Sequence, residues 1–271
     1  MNCFSVTLPG FEAGMDVLLR EKDYEFVEHH ARPCVLVIPG GGYSFLAARE
    51  GEPIAIGFLQ AGYQVCILRY SVRAQESEPF LGDLPLRQAA AAVRYIRTQA
   101  EAWGIDPRKI IVCGSSAGGH LAGSLGVFAH NAAYLPENTD GLSTPDAMIL
   151  CYPVITAREK AHRDSIYNLC GTREICEESL RWSLEEHVTK DTCPAFLWQT
   201  AQDDCVPVEN AMLMARALRG ADVPFELHIY SHGPHGLSLA TPEAGYDRPH
   251  VATWLPLALQ WLNERGVGTG Y

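Results

Sequence analysis

Lys109-Ile110-Ile111-Val112-Cys113-Gly114-Ser115-Ser116-Ala117-Gly118-Gly119-His120 joins an apolar run to a turn made of small residues. Ile110 to Cys113, rich in β-branched side chains, reads as a short strand buried on both faces. Gly114-Ser115-Ser116-Ala117-Gly118 fits G-x-S-x-G with Ser116 at its centre. Leu121, Ala122, Leu125, Val127 and Phe128 then have the character of a packed helix. Strand, sharp turn and helix are the setting of a nucleophile elbow. The turn strains the backbone of its central residue, and side chains two positions to either side would collide, so glycines stand there. The strain lifts the serine hydroxyl clear of the sheet. Ser115 is not the central residue, because Cys113 and Ala117 occupy the positions that would need glycine. A small-residue turn in any α/β protein could read the same from five residues, so the rest of the chain decides.

The chain has 271 residues and is 47% hydrophobic, enough for a full core. No Pro/Ser-rich linker, repeat or low-complexity tract divides it, which favours one domain over residues 1–271. A formal charge of −11 argues against nucleic acid or an anionic membrane surface as partner. No apolar run approaches the length of a spanning helix. The start lacks a basic stretch followed by an apolar one, so no signal peptide is expected, and the expected location is the cytoplasm. Cysteines stand at 3, 34, 66, 113, 151, 170, 176, 193 and 205, without a C-x-x-C pair. Free thiols in a reducing compartment explain them better than a disulfide framework or a zinc site. No cofactor or metal is expected.

Along the chain, strands alternate with helices. Phe4–Leu8 and Val17–Leu19 read as an edge of sheet, with turns at Pro9-Gly10 and Lys22-Asp23. Cys34-Val35-Leu36-Val37-Ile38 is a buried strand that ends in Pro39-Gly40-Gly41-Gly42-Tyr43. Successive glycines there leave backbone N–H groups unscreened, as an oxyanion hole requires. A phosphate-cradling loop would need Gly-Lys-Ser/Thr, which is absent. A helix over Pro53–Ala61, a strand over Gln64–Tyr70 and one long helix over Leu84–Trp103 follow, with Arg87, Arg94 and Arg97 assigned to solvent. After the elbow helix come strands at Ala147–Tyr152, Ala195–Thr200 and Phe225–Tyr230, and helices at Val208–Leu218 and Val251–Leu262. Residues 156–194 interrupt the alternation with charged, helix-like stretches and no strand. The expected architecture is α/β, a mostly parallel sheet covered by helices on both faces, with 156–194 as a cap-like insertion.

A serine nucleophile needs a general base, and the base needs a carboxylate to set its tautomer. Asp203 and His235 follow the last two predicted strands at their C-terminal ends, where such sheets place ligands. Asp203 is preferred to the adjacent Asp204 because Asp-x-x-Val-Pro spaces it at the strand end. His235 is preferred to His232 because Gly-x-His-Gly gives it a tight, exposed loop. His120 is read as packed or hydrogen-bonded within the fold, and His29, His30 and His162 as surface residues.

With these motifs in order, the chain resembles the small bacterial esterases of the α/β-hydrolase superfamily, near the acetyl esterases and acetylxylan-esterase-like proteins related to the hormone-sensitive-lipase group. The resemblance covers Arg32 to about Leu239, through Pro39–Tyr43, Gly114–Leu121, Tyr152–Ile155, Asp203 with Val206–Asn210, and Gly233–Leu237. It implies a triad of Ser116, Asp203 and His235, with Gly41 or Gly42 and Ala117 supplying oxyanion donors. Pro39 replaces the histidine of the lipase-like relatives, and Gln88 stands where an aspartate would be expected. The implied activity is hydrolysis of short esters, acetyl foremost, on small polar alcohols such as sugars. A peptidase or acyl-aminoacyl hydrolase on the same scaffold, and a binding protein on an inactive one, are the alternatives. Self-association is left open.

Overall fold

The computed structural model describes residues 1–21 and 31–270. The turn expected at Lys22-Asp23, and His29 and His30, lie outside the described residues. Among the described residues eight strands form one sheet: β1 (Asn2–Thr7), β2 (Gly14–Leu19), β3 (Arg32–Ile38), β4 (Gln64–Arg69), β5 (Ile105–Ser115), β6 (Ala147–Cys151), β7 (Ala195–Thr200) and β8 (Phe225–Tyr230). Their spatial order is β1-β2-β4-β3-β5-β6-β7-β8. The pairs β1–β2 and β2–β4 are antiparallel, and every pair from β4 through β8 is parallel. The expected α/β class therefore holds.

Helices α1 (Glu52–Gln60), α2 (Leu84–Thr98), α3 (Ala100–Trp103), α4 (Ala117–Phe128), α5 (Arg163–Cys170), α6 (Glu177–Leu180), α7 (Glu209–Gly220) and α8 (Trp254–Glu264) complete the order. Alternate side chains of the central strands feed two apolar layers. Leu36, Ile38, Val112 and Leu150 pack with Val93, Leu121 and Met214, from α2, α4 and α7. Val35, Val37, Ile111 and Ile149 pack on the other face with Phe58, Trp254 and Leu262, from α1 and α8. Strands with apolar side chains on both faces need helices on both faces.

The long helix expected over 84–103 is two. At Gln99 the N–H is shared between the carbonyls of Tyr95 and Ile96, and the chain re-enters a short helix that Gly104 ends at φ 64°. Nor does Arg97 face solvent. Its guanidinium binds the carboxylate of Asp146 at 2.9 Å and the carbonyls of Leu142 and Thr144 at 2.5 and 2.9 Å. A long arginine on a helix flank can reach a neighbouring loop that periodicity does not reveal.

Register carries the chemistry to one edge. Ile38 pairs with Gly114, Gly114 with Leu150, Leu150 with Leu197, and Leu197 with Leu227. The loops after β3, β5, β6, β7 and β8 thus leave the sheet side by side. Residues 156–194 fold back over this edge, pinned by buried Asn210. Its Oδ1 accepts the N–H groups of Ile155 and Thr156, and its Nδ2 donates to the carbonyl of Lys160. No helix among the described residues is long and apolar enough to cross a membrane.

Candidate active site

Ser116 sits between β5 and α4 at φ 56° and ψ −121°, a conformation that costs a non-glycine residue about 1–3 kcal/mol. The surroundings hold it there. Its carbonyl accepts from the N–H groups of His120 and Val154, and its N–H donates to the carbonyl of Cys151. A Cβ on Gly114 would lie 2.1 Å from the carbonyl oxygen of Gly118, and one on Gly118 the same distance from that of Ile38. Both glycines are steric necessities of the turn, since backbone atoms cannot yield as a side-chain tip can.

Two further loops meet the serine. His235 Nε2 lies 2.8 Å from Ser116 Oγ, and His235 Nδ1 lies 2.7 Å from Asp203 Oδ2. The other carboxylate oxygen of Asp203 accepts the N–H groups of Cys205 and Val206 at 3.0 and 2.8 Å. A carboxylate held as an acceptor puts the imidazole proton on Nδ1, which leaves Nε2 to accept from the serine hydroxyl. Asp204 is exposed, and so is His232, which lines a separate cleft with Asp247, Arg248 and His250.

The glycine loop after β3 reaches the same point. Gly41, Gly42 and Tyr43 have φ of 119°, 64° and 60°. Its carbonyls are turned to partners: Pro39 accepts from Tyr70 OH, Gly41 from the N–H groups of Ser44 and Phe45, and Gly42 from Asn168 Nδ2. Among the described residues no protein acceptor takes the N–H of Gly41 or Gly42. Ala117 opens α4, so its N–H belongs to the electropositive end of that helix. Gln88, at the place where an aspartate was expected, accepts from Ser71 N–H at 2.8 Å and donates to Ser71 Oγ at 2.7 Å. The neutral amide satisfies that loop at both ends.

A pocket of about 240 Å³ opens over Ser116 and His235, lined also by the glycine loop, Phe45, Arg49, Glu50, His162 and Asp164. The surface assignment of His162 is corrected here. It caps α5, with Nδ1 accepting from Ser165 N–H, and its half-buried ring borders the pocket. Burial, then the nearby His235, lowers its pKa, and an Nδ1 that accepts from the Ser165 N–H leaves the proton of the neutral ring to Nε2. Glu50 and Asn168 were likewise missed from sequence. Nothing local marks them: Asn168 bonds Gly42 across the fold, and Glu50 joins nearby Gly40 to Tyr152, which is close only after folding. Among the described residues no cluster of three or more His, Cys, Asp or Glu could hold a metal ion.

The family model BD-FAE matches residues 23–218. Endo-1,4-beta-xylanase B of Butyrivibrio fibrisolvens is 42% identical over 213 residues, 78% of this chain but 33% of that protein. The acetylxylan esterase of Xylanibacter ruminicola is 27% identical over 236 residues, 84% of this chain and 46% of that protein. The chain thus spans less than half the length of these two relatives. The crystal structure of an acetyl ester-xyloside bifunctional hydrolase from Caldicellulosiruptor lactoaceticus superposes with a TM-score of 0.81 at 34% identity, over 96% of this chain and 93% of that one. The chain belongs to the BD-FAE family, among the esterases of the α/β-hydrolase superfamily.

Proposed function

We propose that this chain is a serine carboxylesterase that removes short acyl groups, acetyl foremost, from polar alcohols such as sugar hydroxyls. The observation that carries the reading is the unbroken hydrogen-bond line from Ser116 through His235 to Asp203 beneath a small pocket. Ser116 Oγ attacks the ester carbonyl carbon as its proton passes to His235 Nε2. The carbonyl oxygen becomes an oxyanion beside the free N–H groups of Gly41 or Gly42 and that of Ala117. Donors placed where charge develops stabilise the transition state more than the substrate. His235 then protonates the alcohol oxygen as the C–O bond breaks, leaving an acyl-serine. Water follows the same route: His235 takes one of its protons as the oxygen bonds to the acyl carbon, then returns it to Ser116 Oγ as the acyl–serine bond breaks, and the carboxylic acid leaves and gives its remaining proton to solvent.

Residues 156–194 act in this reading as a polar cap rather than a lipid-binding lid. A lipase lid needs a continuous apolar face, whereas Arg158, Glu159, Arg173, Glu174, Glu177 and Glu178 interrupt this one. The Nε2–H of His162 is offered to a hydroxyl of the alcohol. Names of similar proteins, an acetylxylan esterase among them, support the same substrate class. A chain-length series of p-nitrophenyl esters, run with acetylated xylo-oligosaccharides, tests it. The expected result is highest kcat/KM at two to four carbons, with acetate released from the oligosaccharides. Highest kcat/KM at eight carbons or more, or no acetate released, would overturn the acyl or the sugar half respectively. Faster cleavage of acyl-amino-acid amides than of esters would favour the peptidase alternative.

A further inference from the structure

Glu50 is a carboxylate with 2% exposure in a wall of the catalytic pocket, and the mechanism above gives it no part. It follows the glycine loop by one turn of chain, in the short helix Ala48–Glu50. Its Oε2 accepts the N–H of Gly40 at 2.9 Å, and its Oε1 accepts from the hydroxyl of Tyr152 at 3.0 Å. That hydroxyl in turn accepts the N–H of Ser238 at 2.9 Å, so its own proton goes to Glu50. Tyr152 also sets its ring edge-on against His235, with centroids 5.1 Å apart. One buried carboxylate therefore ties the foot of the glycine loop to the loop that carries His235.

Burying an ion costs several kcal/mol unless it is compensated, so an ionised glutamate here needs a reason. Both of its oxygens accept hydrogen bonds, one from the Gly40 N–H and one from the Tyr152 hydroxyl. That pattern belongs to the anion. Burial pushes its pKa up. The Gly40 N–H, a positive His235, the Tyr152 hydroxyl and Arg49 offset part of that rise, and the net direction stays upward.

We propose that Glu50 is a positioning residue and a second negative charge of the catalytic centre, stabilising the imidazolium that His235 becomes when Ser116 attacks. This rests on the proposed esterase reading. Asp203 bonds Nδ1, which sets the tautomer and orientation and supplies the first negative charge beside the ring. Glu50 approaches from the side of the glycine loop and touches neither nitrogen, so it acts through space and through the shared loops. The other groups around His235 are Tyr152 against the ring, His162, Asp164 and Cys205 across the pocket, and Arg49, whose guanidinium nears Gly236. Arg49 is the only one of these that opposes a positive imidazole at every working pH, and Glu50 is the nearest group in sequence that can offset it. Tyr70 also faces Glu50, and stays neutral because burial, then Glu50 itself, raises its pKa.

The test is Glu50→Gln, which keeps the side chain's shape and an acceptor for Gly40 while deleting the charge. With the charge gone, His235 should protonate less readily, and the acid limb of the kcat/KM profile should fall by about one pH unit. The same loss of imidazolium stabilisation should lower kcat about tenfold with KM within about twofold. Tyr152→Phe, which cuts the tie between the loops but keeps the charge, should lower kcat and leave that limb in place. Equal pH profiles for Glu50→Gln and wild type would overturn the proposal, because a purely structural carboxylate moves rate without moving the limb. Should Glu50→Gln fail to fold, the side-chain carboxyl ¹³C resonance of Glu50 in the wild-type protein decides. It must report an ionised group throughout the active plateau, and a neutral one there would overturn the proposal. Ser116→Ala separates the two readings: if it is active, the esterase site itself is misassigned. If it is inert while Glu50→Gln keeps the wild-type limb, only the role of Glu50 falls.

Discussion

The hydroxyl of Tyr43 donates to Nδ1 of His120 at 2.8 Å, and His120 Nε2 donates onward to the carbonyl of Trp182 at 3.0 Å. Tyr43 belongs to the glycine loop, His120 to α4 and Trp182 to the 156–194 segment. Tyr43 and His120 are fully buried. Neutral His120 is therefore a strut between the glycine loop and that segment.

Burial holds the His120 pKa at about 4, below its ordinary 6.5, although the Trp182 carbonyl pulls the other way. The unfolded chain then binds the extra proton first. The contribution is complete above pH 6.5 and is lost as pH falls toward 4, amounting to about 3 kcal/mol in all. Urea unfolding at pH 7 and pH 5 should show a loss of stability about 2 kcal/mol larger in wild type than in His120→Gln. An identical pH dependence in both would refute the strut as a titrating element.

For Ser116→Ala we expect a folded protein that no longer reacts with a fluorophosphonate, with kcat lower by several orders of magnitude. Retention of more than about a tenth of the wild-type rate would exclude Ser116 as nucleophile.

Asp203→Asn should lower kcat by roughly 10³- to 10⁴-fold, since an amide at this point can donate to Nδ1 and set the wrong tautomer. Exposed Asp204, changed to Asn, should alter kcat less than about threefold. Steady-state kinetics of the two variants decides, and the reverse order would reassign the acid.

His162 permits its two nitrogens to be tested apart. Asn at this position keeps an oxygen near the place of Nδ1 and can still cap α5. Gln keeps an N–H near the place of Nε2. His162→Asn should lose about tenfold in kcat/KM on acetylated xylo-oligosaccharides and little on p-nitrophenyl acetate, and His162→Gln should recover part of that loss. Equal losses on both substrates would place His162 on the acyl or oxyanion side instead.

Two glycines on helices should behave oppositely. Gly118→Ala drives a methyl to 2.1 Å from the Ile38 carbonyl oxygen and 2.5 Å from that of Pro39. A loss of about 3 kcal/mol or more, or failure to fold, is expected. Gly220, at the end of α7, has open space where a methyl would stand, with no atom beyond its chain neighbours and its own helix backbone within 4 Å. Gly220→Ala should be neutral or stabilising by up to about 1 kcal/mol. Thermal melts of the pair provide the comparison.

Some of this was written in local order along the chain. Apolar runs such as Cys34–Ile38 and Ala195–Thr200 declare strands buried on both faces, because a side chain's neighbours along a strand alternate between two helix layers. Gly114 and Gly118 declare the turn around Ser116, because the clash they avoid lies within five residues. Asp203 and His235 could be expected beside Ser116 because each follows a recognisable strand, and parallel strands deliver their ends to one edge.

Other features existed only once the chain had folded. That Asp203 rather than Asp204 reaches His235 depends on how the loop after β7 turns, and adjacent aspartates look alike in a sequence. His162 read as a surface residue because its own neighbours are polar; the fold-back of 156–194, pinned by Asn210, brings it to the pocket. Arg97 read as solvent-facing because helical phase does not know of the loop at 142–146. Glu50 followed the glycine loop unnoticed, since a lone acid beside an arginine ordinarily faces water. Its two hydrogen-bond partners come from Gly40, nearby, and Tyr152, about a hundred residues on. Periodicity and turn chemistry act over a few residues, whereas burial and charge pairing are set by whatever the sheet brings together.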